Sequence, residues 1–293
     1  MKNVGLIFAG GVGSRMNSKQ RPKQFLELNG RAIIIHTLEY FERHREIDAI
    51  CIVCVEDWIE YLKELLERYH FKKVKFVVPG GETGQASIYN GLKAIHDNDE
   101  YKDSIVLIHD GVRPLISEQL ITENILCVKE NGSAITVAPA IETIVSTDSK
   151  NSITKIMDRK DCKLARAPQS FFMKDIFEVH IKAIADGNTN MIDSASLMQH
   201  YGFDLTTVDG PVENIKITNK IIDICNKYVW CHDEEIKKEM IVSDLANTTL
   251  NLGEVKGVSE AKLETSNYAD YLFLLGFNQG SLPVIYKDED YLS

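Results

Sequence analysis

Short apolar runs alternate along the chain with longer stretches in which apolar residues recur every three or four positions. Residues 4–8 read as a strand, and residues 32–44 as a helix with Ile35, Leu38 and Phe41 at helical spacing. A second strand is predicted over 50–55, followed by an amphipathic helix over 58–69 with Ile59, Leu62, Leu65 and Leu66 on one face. Residues 74–78 form a third strand ended by Pro79-Gly80-Gly81, 86–96 a helix and 104–109 a fourth strand. This rhythm predicts an α/β fold, a Rossmann-like, mostly parallel sheet with helices on both faces. Ligands of such sheets collect at the carboxyl ends of the strands. The loops after Phe8, Val78 and His109 are therefore the candidate positions.

Further along, residues 134–145 are apolar and β-rich, with 153–157 as a hairpin partner. Helices are predicted over 170–186 and 193–201 and a strand over 205–208. Residues 214–218 are expected to continue the sheet and 220–228 to begin a helix. Beyond Cys231 the pattern weakens: 234–240 is charged and 268–277 apolar, with no internal repeat or low-complexity linker. The carboxy-terminal stretch reads as an appendage.

A chain of 293 residues has room for one large α/β domain, or that domain with a small appendage. Its net charge of −10 argues against a general nucleic-acid binder, while leaving room for a local basic pocket. No apolar run is long enough to span a bilayer and the first residues lack a signal-peptide pattern, so a cytoplasmic protein is expected. Cys51 and Cys54 have CxxC spacing but lie in a strand, where residues three apart face opposite ways. They are expected to be buried thiols and not a shared metal site.

The stretch after the first strand carries candidate chemistry. Ala9, Gly10, Gly11 and Gly13 form a glycine-rich loop that ends in Arg15, and Lys23 follows. Glycines let backbone amides approach phosphate oxygens, and arginine and lysine neutralise their charge. The glycine spacing fits neither GxGxxG nor a P-loop. A dinucleotide site survives on spacing, with Asp48 or Glu56 as its acidic residue, but the basic pair favours a nucleotide triphosphate. Asp110 closes the fourth strand, where a carboxylate can bind Mg²⁺ together with phosphate oxygens. Arg113 is placed to pair with a phosphate or with Asp110, and Lys216 sits inside an apolar run.

The blocks FAGGVGSRM, RPKQFLELNGR, PGG followed by a serine and NGL, HDGVRP, APQSFF and VDGPVENIKIT occur in an order that resembles the IspD/TarI cytidylyltransferases over residues 1 to about 230. The resemblance implies transfer of CMP from CTP to a small phosphorylated polyol or sugar, with release of pyrophosphate. It implies a nucleotide-diphospho-sugar transferase type of fold with a β-arm over about 140–165, a domain over 1–232, and an extension of unknown role over 233–293. Ala9, Gly10, Gly11 and Gly13 would wrap the CTP phosphates, with Arg15, Lys23 and Lys216 as the catalytic cations. Gly81, Glu82 and Ser87 would contact the cytosine, and Asp110 would bind CTP and Mg²⁺. Arg113, Thr143, Arg159 and Asp193 fall on the acceptor side, the arm reaching across a homodimer.

Two branches of the family differ in acceptor: ribitol 5-phosphate, which feeds cell-wall or capsule polysaccharide, and 2-C-methyl-D-erythritol 4-phosphate of isoprenoid synthesis. The Ala9-Gly10-Gly11 start, HDGVRP and Glu142-Thr143-Ile144-Val145 look closer to the ribitol branch. The chain departs from the family pattern at Thr83-Gly84-Gln85-Ala86, Arg166-Ala167-Pro168-Gln169 and Ile192-Asp193, and the last two touch the acceptor side. A non-catalytic nucleotide-binding homologue and a nicotinamide-dependent oxidoreductase are the competing classes.

Overall fold

The computed structural model describes residues 1–10, 21–28, 30–217, 228–231 and 284–287. The elements in order are β1 (Asn3–Ala9), β2 (Glu27–Leu28), β3 (Arg31–Ala32), α1 (Ile33–Arg43), β4 (Ala49–Cys54), α2 (Ile59–Arg68), β5 (Val74–Pro79), α3 (Gly84–His96) and β6 (Ile105–Asp110). They continue with α4 (Glu118–Asn131), β7 (Ser133–Pro139), β8 (Val145–Thr147), β9 (Ile153–Ile156), β10 (Lys163–Phe172), α5 (Met173–Ala185), α6 (Ser194–His200), β11 (Thr207–Asp209), β12 (Tyr228–Cys231) and β13 (Val284–Lys287). Contacts divide the chain into two units: residues 1–27 with 31–215, and residues 28–30 with 216–293. In the second unit β12 and β13 pair antiparallel.

The first unit is built on a seven-stranded sheet in the order β11-β7-β10-β6-β1-β4-β5. Its pairings are parallel except those of β10, which runs antiparallel to both β6 and β7. The expected α/β fold is thus present. Successive residues of each central strand serve opposite faces, as the two-residue period requires. Ile7, Ile50, Ile52, Cys54, Ile105 and Leu107 pack with α1, α2 and α4. Leu6, Cys51, Val53, Val106 and Ile108 pack with α3, α5 and α6. Each large aliphatic side chain buried in this way contributes about 1.5–3 kcal/mol.

Cys51 and Cys54 fall on opposite faces as free, buried thiols. Burial pushes the Cys51 thiol far up, and pushes Cys54 up to about 12, so both stay protonated.

Several expectations are corrected. The apolar run over 134–145 splits: β7 enters the sheet and ends at Pro139, and only Val145 joins the hairpin, where β8 pairs with β9. The helix expected from residue 170 starts at Met173, because Gln169 to Phe172 pair with Ile108 to Ile105 as the end of β10. β10 and α4 were not predicted. Helix α4 did carry its signals: Ser117 accepts a capping bond from the Leu120 amide at 3.1 Å, and Gly132 ends the helix at φ 83°. Residues 214–217 form no strand, since the Asn214 and Ile215 amides close turns onto Pro211 and Glu213 carbonyls. Of the helix expected over 220–228, residues 220–227 lie outside the described residues, and Tyr228 opens β12. The stretches 234–240 and 268–277 also lie outside them.

Candidate active site

Four neighbouring parallel strands bring the three predicted loops to one sheet edge. Phe8 of β1 stands opposite Asp110 of β6, Ala9 opposite Cys54 of β4, and Cys54 opposite Pro79 of β5. Asp48 lies at the other end of β4, where its carboxylate accepts from the Asn3 amide at 2.8 Å and Lys2 Nζ at 3.1 Å. It is not placed as a ribose ligand would be. A cleft of about 490 Å³ between α2 and β5, lined by Leu66, His70, Phe71, Lys72 and Lys75, also lies toward the amino end of β5.

At the carboxyl edge the chain leaving β1 lies beside the chain leaving β5, and the turn after β5 packs tightly on α3, so there is little room for side chains. A Cβ on Gly10 would stand 3.3 Å from Ser87 Oγ and 3.5 Å from Gly80 Cα. A Cβ on Gly81 would stand 2.7 Å from Ala86 Cβ. Ser87 is the hub of this turn: its Oγ accepts from the Gly81 amide at 2.8 Å and donates toward the Thr83 carbonyl at 2.9 Å. Thr83 caps α3 by accepting from the Ala86 amide at 3.1 Å. The turn therefore presents main chain and the exposed Glu82 at a helix amino terminus, a setting suited to a polar or anionic ligand. Gln85 ties the turn to a neighbouring loop, donating to the Asn188 carbonyl at 2.7 Å and accepting from the Met191 amide at 2.8 Å.

Gly11, Gly13 and Arg15 lie outside the described residues. Ala9 and Gly10 are buried at the end of β1, where Gln24 Nε2 donates to the Ala9 carbonyl at 2.6 Å. Lys23 opens a single turn of 3₁₀ helix, Lys23–Phe25, and is half-buried. That turn is anchored by Phe25, whose ring stacks on Trp58 at 5.2 Å. Lys216 belongs to the second unit.

Asp110 and Arg113 form a tight pair after β6. Arg113 Nε donates to Asp110 Oδ2 at 2.8 Å and Nη1 donates to the Asn214 carbonyl at 2.9 Å. Asn214 Nδ2 in turn donates to the Ala167 carbonyl at 2.6 Å. Among the described residues no three His, Cys, Asp or Glu side chains converge as a metal cage. A single carboxylate at a strand end nevertheless fits Mg²⁺, which is held by one or two carboxylates together with substrate phosphates and water.

Thr143 and Arg159 lie at the base of the β8–β9 hairpin, both exposed, and Arg159 Nη1 donates to the Ile141 carbonyl at 2.9 Å. Asp193 is held in the fold: Oδ1 accepts from the Ser196 amide at 2.8 Å, capping α6, and Oδ2 accepts from Gln169 Nε2 at 2.9 Å. Next to it Ile192 is 94% exposed. Gln24, Gln85, Gln169 and Asn214 support these loops and were not singled out in the sequence. Their only signal was a neutral amide beside each candidate loop.

The IspD family profile, 2-C-methyl-D-erythritol 4-phosphate cytidylyltransferase, matches residues 4–226. The chain is 54% identical over 219 residues to a ribitol-5-phosphate cytidylyltransferase of Vibrio parahaemolyticus serotype O3:K6, covering 75% of this chain and 92% of that one. It is 36% identical over 218 residues to a 2-C-methyl-D-erythritol 4-phosphate cytidylyltransferase of Syntrophus aciditrophicus, covering 74% and 91%. The crystal structure of 4-diphosphocytidyl-2C-methyl-D-erythritol synthase from Anaerococcus prevotii superposes with a TM-score of 0.66 at 29% identity, over 77% of this chain and 94% of that one.

Proposed function

Because the chain belongs to the IspD family of cytidylyltransferases, we propose that it transfers CMP from CTP to D-ribitol 5-phosphate, forming CDP-ribitol and pyrophosphate. The observation that carries the choice of acceptor is the 54% identity to a relative named for ribitol 5-phosphate, against 36% to one named for methylerythritol phosphate.

A phosphate oxygen of the acceptor attacks the α-phosphorus of CTP. A new P–O bond forms there, and the bond from the α-phosphorus to the oxygen leading to the β-phosphate breaks. Pyrophosphate leaves with that electron pair. The nucleophile is already anionic near neutral pH, so no general base is needed. The barrier lies in bringing two polyanions together, which preorganised cations and main-chain dipoles lower.

In this reading Ala9 and Gly10, with Gly11 and Gly13, line the phosphates, and Arg15, Lys23 and Lys216 offset their charge. The Gly81–Glu82 turn, held by Ser87, takes the cytosine. Thr143, Arg159, Asp193 and Arg113 serve the acceptor, Arg113 by fixing its surroundings through Asp110 and Asn214. Mg²⁺ would be held by Asp110 with the nucleotide phosphates and would supply charge neutralisation. The exposed apolar residues of the arm, Ile141, Val145, Ile153 and Ile156, support a homodimer that buries them. A supply of CTP fits a cytoplasmic enzyme that makes a polysaccharide precursor. Among the described residues no helix is long and apolar enough to cross a membrane.

Pyrophosphate release with CTP, Mg²⁺ and either acceptor tests the proposal. A higher kcat/KM with ribitol 5-phosphate is expected. Preference for methylerythritol phosphate would reassign the acceptor. Binding of CTP without release with any polyol phosphate would favour the non-catalytic homologue.

A further inference from the structure

The Ala167 carbonyl has no place in the sheet ladder. β10 pairs with β7 through Lys163 to Ala165 and again from Gln169, and the register shifts between Ala165 and Gln169. A main-chain oxygen released inside the protein needs another donor. Asn214 Nδ2 supplies it at 2.6 Å, with Asn214 itself 0% exposed. On its other side, the Asn214 carbonyl accepts from Arg113 Nη1 at 2.9 Å, and Arg113 Nε holds Asp110 at 2.8 Å.

Asp110, Arg113, Asn214 and Ala167 thus form one continuous run of short hydrogen bonds, largely out of water, from the end of β6 to the break in β10. Each side of that break leads to a different candidate group. Before it, β10 follows the turn that carries Arg159. After it, Gln169 grips Asp193 Oδ2 at 2.9 Å and the Ala195 amide at 2.9 Å. Among the described residues the buried Asn214 Oδ1 has no hydrogen-bond partner. An unmade buried bond is costly, so a side chain kept for stability alone would be expected to satisfy both ends of its amide. The Nδ2 bond to Ala167 is what the residue provides.

We infer that Asn214 is a positioning residue that locks the β6 turn bearing Asp110 to the break in β10, so that the nucleotide half and the acceptor half of the site are held in one arrangement. The identity of the two halves rests on the cytidylyl-transfer reading; the lock itself does not.

Asn214→Ala and Asn214→Ser test it, with Asn124→Ala as a control. Asn124 is a fully buried amide whose bonds go to Leu120, Thr136 and Ser170. Measured are the thermal midpoint, CTP affinity in the presence of Mg²⁺ by calorimetry, kcat and acceptor KM with the best polyol phosphate, and amide hydrogen exchange. For Asn214→Ala, kcat is expected to fall by about a hundredfold, the scale of a small misplacement of reacting groups. CTP affinity and acceptor affinity should weaken together, and exchange should rise in both 110–114 and 165–169. Asn214→Ser should recover part of each loss. Asn124→Ala should lower the midpoint and leave both affinities within about twofold.

A folded Asn214→Ala protein that moves neither affinity, or moves only one, overturns the inference. So does a lowered midpoint with kcat retained. If Asn214→Ala does not fold, Arg113→Lys carries the same test, since lysine keeps the charge beside Asp110 but lacks the planar fork that also reaches Asn214. If the wild type turns over no polyol phosphate, the functional reading fails, and hydrogen exchange alone decides the lock: unchanged exchange at either segment overturns it.

Discussion

Arg113 Nε donates to Asp110 Oδ2 at 2.8 Å, and the two side chains are only 10% and 17% exposed. Removing Arg113 takes away a charge-assisted hydrogen bond to Asp110 and the donor to the Asn214 carbonyl, and hydrogen bonds to charged groups contribute about 1.5–3 kcal/mol each. Arg113→Ala should therefore lower the unfolding free energy by about 3 kcal/mol in denaturant titration. Asp110→Asn keeps the shape but leaves the Arg113 charge, itself only 10% exposed, facing a neutral amide, so it should cost stability on a similar scale while lowering turnover about a hundredfold, as loss of a preorganised charge at the proposed reacting centre does. If Arg113 served the acceptor and not the fold, Arg113→Ala would raise the acceptor KM with stability intact.

The glycine turn makes a sharper steric prediction. A Cβ on Gly81 would stand 2.7 Å from Ala86 Cβ and 3.0 Å from the Ala86 carbonyl carbon, and helical backbone does not yield cheaply. Gly81→Ala should cost about 1–3 kcal/mol and push the turn off α3. The KM for CTP should rise with the acceptor KM unchanged. A Cβ on Gly84, at the start of α3, would meet nothing within 4 Å, and Gly84→Ala should be neutral or slightly stabilising. Equal effects of the two substitutions on CTP would mean that close packing is not what this turn depends on.

The parallel strands and the helices other than α4 were legible because their periods differ and each pattern ran for several residues, as in α2 with Leu62, Leu65 and Leu66. The antiparallel β10 was not legible. Its apolar end, Ser170-Phe171-Phe172, runs directly into the apolar face of α5 with no capping side chain between them. Alternation could not mark where extended backbone became helix. The candidate loops were visible because glycines and charges stand out at strand ends. The amides that hold them were not, since Gln24, Gln85 and Asn214 act through main-chain partners remote in sequence, and Gln169 through the Asp193 carboxylate and the Ala195 amide. For Gln85 those partners are Asn188 and Met191.

The hairpin carries a prediction about assembly. Ile153 and Ile156 are 60% and 65% exposed on β9, close in sequence to Arg159. Burying one isoleucine against a partner contributes about 2 kcal/mol. If the arm forms the proposed homodimer, Ile156→Glu should shift the protein from dimer to monomer in sedimentation, raise the acceptor KM about tenfold or more, and leave CTP binding by calorimetry unchanged. A variant that remains dimeric with a normal acceptor KM would show that the arm does not form the interface.

His180 links the same sheet face to acid stability. It lies on α5, 1% exposed, with its ring 6.2 Å from that of Tyr89 on α3, and neither ring nitrogen has a hydrogen-bond partner among the described residues. Burial lowers its pKa to about 4, so the folded protein holds it neutral. In the unfolded chain the same imidazole takes up a proton near pH 6.5. Above that pH both states are neutral and the group adds nothing to the pH dependence. Between about 6.5 and 4 the unfolded state alone is protonated, so stability falls as pH falls, by about 3 kcal/mol in total for a shift of this size. His180→Phe keeps an aromatic ring against Tyr89 and removes the titration. Its unfolding free energy should fall by about 2–3 kcal/mol less than that of the wild type between pH 7 and pH 4. The carboxylates titrate in both proteins, so the difference isolates His180. Parallel stability curves over that range would mean that the imidazole gains a proton in the folded state as readily as in the unfolded one.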